Sequence, residues 1–528
     1  MRKAFAFRIP NFVLSAIAGG LLTLSFAPYG YWPCGLGSLS LLAWLYLRAS
    51  GGRQLSGRRS LWLAFCFGLG LFGSGGSWVY VSITEFGNSS VLLGTALTGA
   101  FVSIMALLLA LPFYFLGHFT GRGLSFALAF PALWFVSEWL RSWIFTGFPW
   151  LYAGYGQIET WLSGWAPVLS VYGMGLLLAL SAAVIALAAA GRLALRANPA
   201  GQGASVLLVV AALLPWPIGA LLAQVEWTQP EGDTITVGLV QANIPQEKKW
   251  LPEFRGETIR RYQDGSRALS EQGVDVIVWP EAALPVLYSH APNLMQALQR
   301  NAEQTRTDLI AGILYDRREP GRRVVHNSAT VFGRNPGIYH KRHLVPFGEY
   351  VPLEDWLRGT IEFFNLPTSF IQPGPEEQQP LNAGGTSWAP LICYEIVYPR
   401  MVADSALSAQ VLLTISNDAW FGDSIGPLQH MQIAQMRALE TGRYLVRSTN
   451  TGVTAIVDPR GRIVHRLPQF ERANLTGEVR AMRGATPFML TGITPVFALA
   501  LPMLVAASLF RRRRPAAAKV PLAGEISD

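Results

Sequence analysis

The stretch WAPLICYEIVYPR, from Trp388 to Arg400, sets a thiol, Cys393, into an apolar β-rich run and a carboxylate, Glu395, two residues after it. Residues i and i+2 of a strand project to one face, so if the strand runs that far the two groups stand side by side. Layered α/β folds gather their chemistry at strand ends of this kind. The neighbouring sequence repeats the pattern. ITVGLVQANI, VDVIVWPEAALP, DLIAGILYD and VLLTISNDAWFG are further β-rich runs, alternating with ETIRRYQDGSRALSEQG and PLQHMQIAQMRALETGR, which are spaced as helices. Strands alternating with helices over about 250 residues predict an α/β layer domain large enough for its own core. TAIVDPRGRIVHRL reads as a hairpin, with Asp458, Pro459 and Gly461 supplying the turn.

The rest of the chain is too apolar for a soluble domain. Of its 528 residues, 51% are hydrophobic and only 14% charged, and the mean hydropathy is +0.30. Apolar runs of about the 20 residues that a bilayer requires lie near 11–29, 31–48, 61–82, 91–116, 124–140, 165–190, 204–225 and 486–510. They predict about eight transmembrane helices: seven in a membrane domain at 1–225, then the α/β domain at 226–485, a final span at 486–510 and a basic tail at 511–528. The first run follows Arg2, Lys3 and Arg8 as a signal peptide would, but it lacks a small-residue cleavage site and reads as a retained helix.

Basic residues flank alternate connections: Arg2, Lys3 and Arg8; Arg48, Arg53, Arg58 and Arg59; Arg122; Arg192 and Arg196; Arg511 to Arg514. Such residues stay on the cytoplasmic side, which predicts cytoplasmic termini and an α/β domain outside the cytoplasm. The net charge of +9 is divided among these clusters, so it reflects topology and not a nucleic-acid-binding face. Cys34, Cys66 and Cys393 lie far apart and the histidines show no ligand spacing, so neither a disulfide framework nor a metal or other cofactor is expected.

Three segments deliver a polar group at or near a strand end. In VIVWPEAALP, Pro280 cannot donate to a ladder and stops the strand, leaving Glu281 just beyond the sheet. YHKRHLVPFGEY carries Lys341 among Arg342, His340 and His343, with Glu349 further on, and LICYEIVYPR carries Cys393. Taken singly, these are an exposed acid, a basic loop and a small hydrophobe in a core strand. Their conjunction is not explained that way.

WPEAALP, YHKRHLVPFGEYVP, LICYEIVYPR and NDAWFG resemble the Glu, Lys and Cys motifs and following segment of the nitrilase superfamily. The lysine motif, with seven spans before the domain and one after, resembles the bacterial apolipoprotein N-acyltransferase family in particular. The resemblance implies a four-layer αββα sandwich with Glu281 as general base, Lys341 as stabiliser of tetrahedral intermediates, Cys393 as nucleophile, and Glu349 and Glu395 in support. The chemistry agrees, because a thiol of ordinary pKa about 8.5 needs a base or cation beside it to attack at neutral pH.

The same resemblance implies an acyl donor, a membrane phospholipid and typically phosphatidylethanolamine, whose ester Cys393 attacks to form a thioester. The acceptor is the α-amine of a diacylglyceryl-cysteine apolipoprotein, and the enzyme lies in the bacterial inner membrane with its catalytic domain facing the periplasm. A monomer suffices, since one chain carries the whole triad. Trp250, Tyr394, Trp420 and Phe421 read as lipid contacts or as core aromatics. The insertion DWLRGTIEFFNLPTSFIQPG, with Phe363, Phe364, Leu366 and Phe370, reads as a lid or as satellite packing. Glu85, Glu138 and Arg141 sit near outer span ends, where they either meet head groups or mark the interface. The rival functions are a membrane-tethered amidase that passes the acyl group to water, and a transporter or receptor whose outer domain only binds a ligand; a transporter should carry ionisable residues or broken helices near mid-span.

Overall fold

Val, Ile and Leu dominate the β-rich runs, and each run becomes a strand. The protein is seen here as a computed structural model describing residues 9–87, 89–193, 199–320, 322–346, 348–350 and 371–512. Its strands are β1 (Gln229–Gln241), β2 (Val276–Val278), β3 (Leu284–Leu287), β4 (Asp308–Glu319), β5 (Arg322–Phe332), β6 (Gly337–His340), β7 (Leu381–Ala383), β8 (Thr386–Ile392), β9 (Val411–Ser416), β10 (Leu445–Thr449), β11 (Ala455–Val457), β12 (Ile463–Arg466) and β13 (Ala473–Arg483). One sheet runs β13-β1-β2-β4-β5-β6 with β3 beside β4, and the other runs β12-β11-β10-β9-β8-β7. Strands β1, β2 and β4 are mutually parallel, as are β8, β9 and β10, so their carboxyl ends open along one edge of each sheet.

Alternation along the strands builds the layers. Val237, Leu239, Val276, Val278 and Ile310 of the first sheet meet Trp388, Ile392, Val411 and Leu413 of the second in one core. The intervening Val240, Ile277, Leu309 and Ala311 face Tyr262 and Leu269 of the helix Arg255–Ser270 and Met295 and Leu298 of the helix Pro292–Thr305. Ala389, Leu391 and Leu412 face the helices Pro399–Leu407 and Gly426–Thr441. This is the expected αββα sandwich. The outermost helix layer is not solvated: Val402, Ala403, Met431 and Ala434 belong to the same apolar cluster as Trp134, Leu176 and Phe488. The sandwich and the helical bundle therefore share a core.

Each apolar run becomes helical, but the span count differs from the sequence reading. Among the described residues, five helices are long and apolar enough to cross a bilayer, and the pair Gly57–Gly75 and Trp78–Phe86, bent by 55°, makes a sixth. The first run yields only the 13-residue helix Asn11–Thr23, about 20 Å long against a core of about 30 Å. Pro28 and Gly30 turn the chain before it gets further. The second run forms the 19-residue helix Trp32–Ser50, in which Gly35, Gly37, Ser38 and Ser40 dilute the apolar character.

The two ends of the bundle differ in chemistry. At one end Arg192 donates to the carbonyls of Thr120 (3.0 Å) and Leu47 (2.7 Å), and Arg122 donates to that of Phe510 (2.9 Å), so the basic connections gather there. At the other end the sandwich docks. The Trp150 indole donates to Gln429 Oε1 (2.8 Å), Ala27 N to Gln432 Oε1 (3.1 Å) and Ser82 Oγ to the Trp420 carbonyl (2.7 Å). Helix Ala166–Ala189 breaks at Ser170, where φ is +58°. Glu440, ion-paired with Arg437 at 2.9 Å, accepts from Ser170 Oγ and from Val171 N at the break. A buried carboxylate thus satisfies the helix donors freed by the kink.

Two further expectations are corrected. Strand β8 ends at Ile392; Cys393 has φ +52° and opens a tight helical turn, Cys393–Val397, so Cys393 and Glu395 do not share a strand face. Glu138 and Arg141 meet no head groups, because both are fully buried. Glu138 Oε1 accepts from Trp134 Nε1 (3.0 Å) and Ala153 N (2.8 Å), while Arg141 donates to the Trp150 carbonyl (3.0 Å). Together they brace the segment after the helix Gly123–Arg141 from within the bundle.

Candidate active site

Glu281, Lys341 and Cys393 each leave the carboxyl end of a strand: β2, β6 and β8. Pro280 ends the β2 ladder, and Ala282 takes φ +44° to turn the chain. Across the sheet, a Cβ on Gly312 would stand 2.3 Å from the Pro280 carbonyl oxygen and 2.7 Å from the Glu281 Cα. Backbone atoms cannot yield cheaply. Gly312→Ala is therefore expected to displace Glu281 and slow the alkylation of Cys393 by iodoacetamide by about ten- to a hundredfold, with overpacking costing about 1–3 kcal/mol. Labelling kinetics at full occupancy of folded protein check this, and a wild-type rate would mean that the turn relaxes freely.

The carboxylates form a closed network. Asn327, on β5, splits its two amide hydrogens between Glu281 Oε1 (2.7 Å) and Glu349 Oε1 (2.9 Å). Lys341 Nζ lies 2.8 Å from Glu349 Oε2 and 3.4 Å from Glu281 Oε1, and the Asn417 N–H donates to Glu281 Oε2 (2.8 Å). Lys341 is 1% exposed and Glu281 7%, so these contacts act in a poorly screened medium. Burial alone would strip the Lys341 charge, but the carboxylates of Glu349 and Glu281 outweigh it and hold the ammonium above its ordinary range.

Cys393 is partly accessible, yet burial, together with the Glu281 charge, pushes its thiol up, with Lys341 pulling the other way. The resting group is a thiol, so attack requires a base to take the proton as the new bond forms. Its left-handed backbone, which costs about 1–3 kcal/mol, is held from two sides. Behind it, His430 Nε2 donates to the Cys393 carbonyl (3.2 Å), and the other ring nitrogen faces Asp418 Oδ1 (3.0 Å) and Arg447 Nη2 (3.1 Å). Beside it, Glu395 Oε2 accepts from Ile392 N (2.7 Å), while Oε1 accepts from Arg342 N (2.7 Å), His343 N (3.2 Å) and Tyr339 OH (3.0 Å).

The two supporting glutamates are thereby separated. Glu349 contacts the Lys341 ammonium, whereas Glu395 staples the lysine loop to the residue before Cys393. The aromatic candidates divide differently. Tyr394 OH donates to the Gly147 carbonyl (2.9 Å); Trp420 packs against Phe86, and Phe421 against Trp78, so these three tie the sandwich to the bundle. Trp250 is 39% exposed on the rim. Phe363 and Phe364, with Leu366 and Phe370, lie outside the described residues. Sequence reasoning missed Asn327, the Asp418–His430–Arg447 group and the second lysine discussed below. For Asn327 a signal existed: HNS interrupts a strand that is buried on both faces from Val324 onward.

A thiol, a carboxylate and an ammonium on this sandwich define the carbon-nitrogen hydrolase class, and residues 236–488 match the carbon-nitrogen hydrolase family. Residues 18–184 match the apolipoprotein N-acyltransferase N-terminal domain. The chain is 46% identical over 516 residues to the apolipoprotein N-acyltransferase of Azotobacter vinelandii, covering 97% of both. It is 45% identical over 511 residues to that of Pseudomonas aeruginosa PAO1 (96% of this chain, 97% of the relative), and 39% identical to that of Coxiella burnetii (94% and 99%). It belongs to the apolipoprotein N-acyltransferase family. Solved structures similar to it include a carbon-nitrogen hydrolase from Helicobacter pylori G27 (17% identity, TM-score 0.34, 53% of this chain and 95% of that one). Another is an amidase from Nesterenkonia sp. (19% identity, TM-score 0.33, 51% and 97%).

Proposed function

We infer that the protein moves a fatty acyl chain from a membrane phospholipid, with phosphatidylethanolamine as the donor, through a thioester on Cys393 to the α-amine of a diacylglyceryl-cysteine apolipoprotein. The observation that carries this reading is the shared core: a Glu281–Lys341–Cys393 site stands on a sandwich whose outer helices are packed into an apolar bundle, which an enzyme for small soluble amides does not need. Glu281 takes the thiol proton as sulfur attacks the ester carbonyl and returns it to the departing lysophospholipid. In the second half it takes a proton from the attacking amine and returns it to the Cys393 sulfur. Lys341 faces the oxyanion of both intermediates.

The gathering of Arg122 and Arg192 at the end remote from the sandwich supports cytoplasmic termini and a periplasmic site in the inner membrane. Within the division 1–225, 226–485, 486–510 and 511–528, all eight apolar runs cross or enter the bilayer, the short first helix doing so beside longer neighbours. One chain holds the whole site, so it works as a monomer.

The test is intact-mass and peptide-resolved mass spectrometry of wild-type protein incubated with phosphatidylethanolamine. The expected result is a hydroxylamine-labile acyl mass on Cys393 that moves to a diacylglyceryl-cysteine peptide on its addition. An unmodified Cys393 in folded protein that hydrolyses small amides would overturn the reading in favour of an amidase.

A further inference from the structure

A second buried lysine stands at the same site. Lys249 ends the short helix Gln246–Lys249, is 2% exposed and donates from Nζ to the backbone carbonyl of Glu281 at 3.2 Å. An ammonium has three donors. Among the described residues, its contacts are that carbonyl and the ring of Trp250, whose centroid is 5.9 Å away. Burying an ammonium is costly unless its charge is used, and one hydrogen bond to a neutral carbonyl is poor compensation.

The charges around the triad explain what it could be used for. Lys341 is flanked by two carboxylates, Glu281 and Glu349, so this group is already one negative charge in excess before the thiol reacts. Asp418 is matched by Arg447 at 2.6 Å, and Glu395 is held by its own donors, so neither supplies a counter-charge. When the Sγ proton passes to Glu281, the excess negative charge is not relieved but moves onto the sulfur and then the carbonyl oxygen, in a weakly screened site. With Lys249 charged, the resting group is neutral. We propose that Lys249 is a positioning residue of this site, which fixes the Glu281 turn through its carbonyl and offsets the negative charge that develops as Cys393 attacks. The Sγ proton passes to Glu281, the sulfur bonds the acyl carbon, the carbonyl electron pair moves to oxygen, and Lys249 keeps its protons throughout. This inference rests on the acyl-transfer reading above.

The two lysines should differ in pH response. Burial pushes the Lys249 ammonium down to about 8, against the pull of Glu281 and Cys393, so its charge fades as pH rises through that value. Lys341, between two carboxylates, keeps its charge. The groups whose charge acts on Lys249 are Glu281, after β2, and Cys393, after β8.

The experiment compares full-length wild type, Lys249→Met and Lys249→Arg from pH about 6.5 to about 9.5. It follows peptide-resolved alkylation of Cys393 by iodoacetamide and its acylation by phosphatidylethanolamine. Lys249→Met is expected to slow both reactions about tenfold or more near neutral pH and to lose the decline in acylation above pH about 8. Lys249→Arg should restore the rates and carry them to higher pH. Wild-type rates in Lys249→Met, or equal losses in both variants with an unmoved pH profile, would overturn the proposal. Should wild type take up no acyl group, the donor reading fails while the alkylation series still decides the role of Lys249.

Discussion

Lys341→Met is expected to abolish acyl-enzyme formation, by about a thousandfold or more, and to lower the melting temperature as well. The two losses have separable causes. Lys341 Nζ stands 2.8 Å from Glu349 and 3.4 Å from Glu281, and removing it leaves two buried carboxylates facing each other across Asn327. Breaking a buried pair in this way costs about 3–5 kcal/mol. The double variant Lys341→Met/Glu349→Gln removes one of the stranded carboxylates, and much of the stability should return, because the sites are coupled. Activity should not. The glutamine replaces a carboxylate but supplies no cation at the oxyanion, and Cys393, pushed up by burial and by Glu281, loses the charge that opposes both. A pair of purely structural value predicts the contrary, with activity recovering in step with the melting temperature. Thermal unfolding and Cys393 acyl mass, measured on the same three proteins, separate the two. Because its carboxylate neighbours hold Lys341 above its ordinary range, wild-type dependence on this lysine should show no titration at neutral pH.

How far the sequence reaches is seen at particular residues. The alternation of β-rich and helical runs is a local signal, and the sandwich follows from it directly, as does Glu281 beyond Pro280. Helix lengths are not legible where Pro28 and Gly30 turn the chain, since an apolar run says nothing about where its helix ends. The end of β8 is hidden for a different reason. A cysteine at φ +52° carries no compositional mark, so the strand and the turn look alike in LICYEIVYPR. The partners of Glu349 and Glu395 depend on side-chain directions set by contacts 22 and 53 residues away. Lys249 is further hidden, because KKW reads as solvated charge until the fold brings it against Glu281. Tyr394, Trp420 and Phe421 read from sequence as lipid contacts or as core aromatics, and the fold packs all three against the bundle.

Glu395→Gln is the substitution in which the loss of one acceptor should cost most. All four partners of Glu395 donate: Ile392 N to Oε2, and Arg342 N, His343 N and Tyr339 OH to Oε1. A glutamine must turn its NH2 toward one of these groups. Its least costly orientation keeps the oxygen for the three donors on Oε1 and sets nitrogen against the Ile392 N–H, leaving a fully buried donor unpaired at about 1–3 kcal/mol, and more with the charge lost. That N–H precedes Cys393, whose left-handed backbone is strained and held in part by this bond. Releasing it should let Cys393 swing from line, with a fall of about a hundredfold or more in its acylation under the proposed reaction and a lower melting temperature. Glu349→Gln provides the contrast. It keeps an oxygen for Asn327 or Val345 and leaves the Cys393 turn untouched, so its effect should pass through Lys341 alone. Iodoacetamide labelling distinguishes the routes: Glu395→Gln should change the reactivity of Cys393 in wild-type and Lys341→Met backgrounds alike, whereas Glu349→Gln should change it only while Lys341 is present. Equal dependence of both variants on Lys341 would mean that Glu395 acts through the lysine, and that its bond to Ile392 has no bearing on the nucleophile.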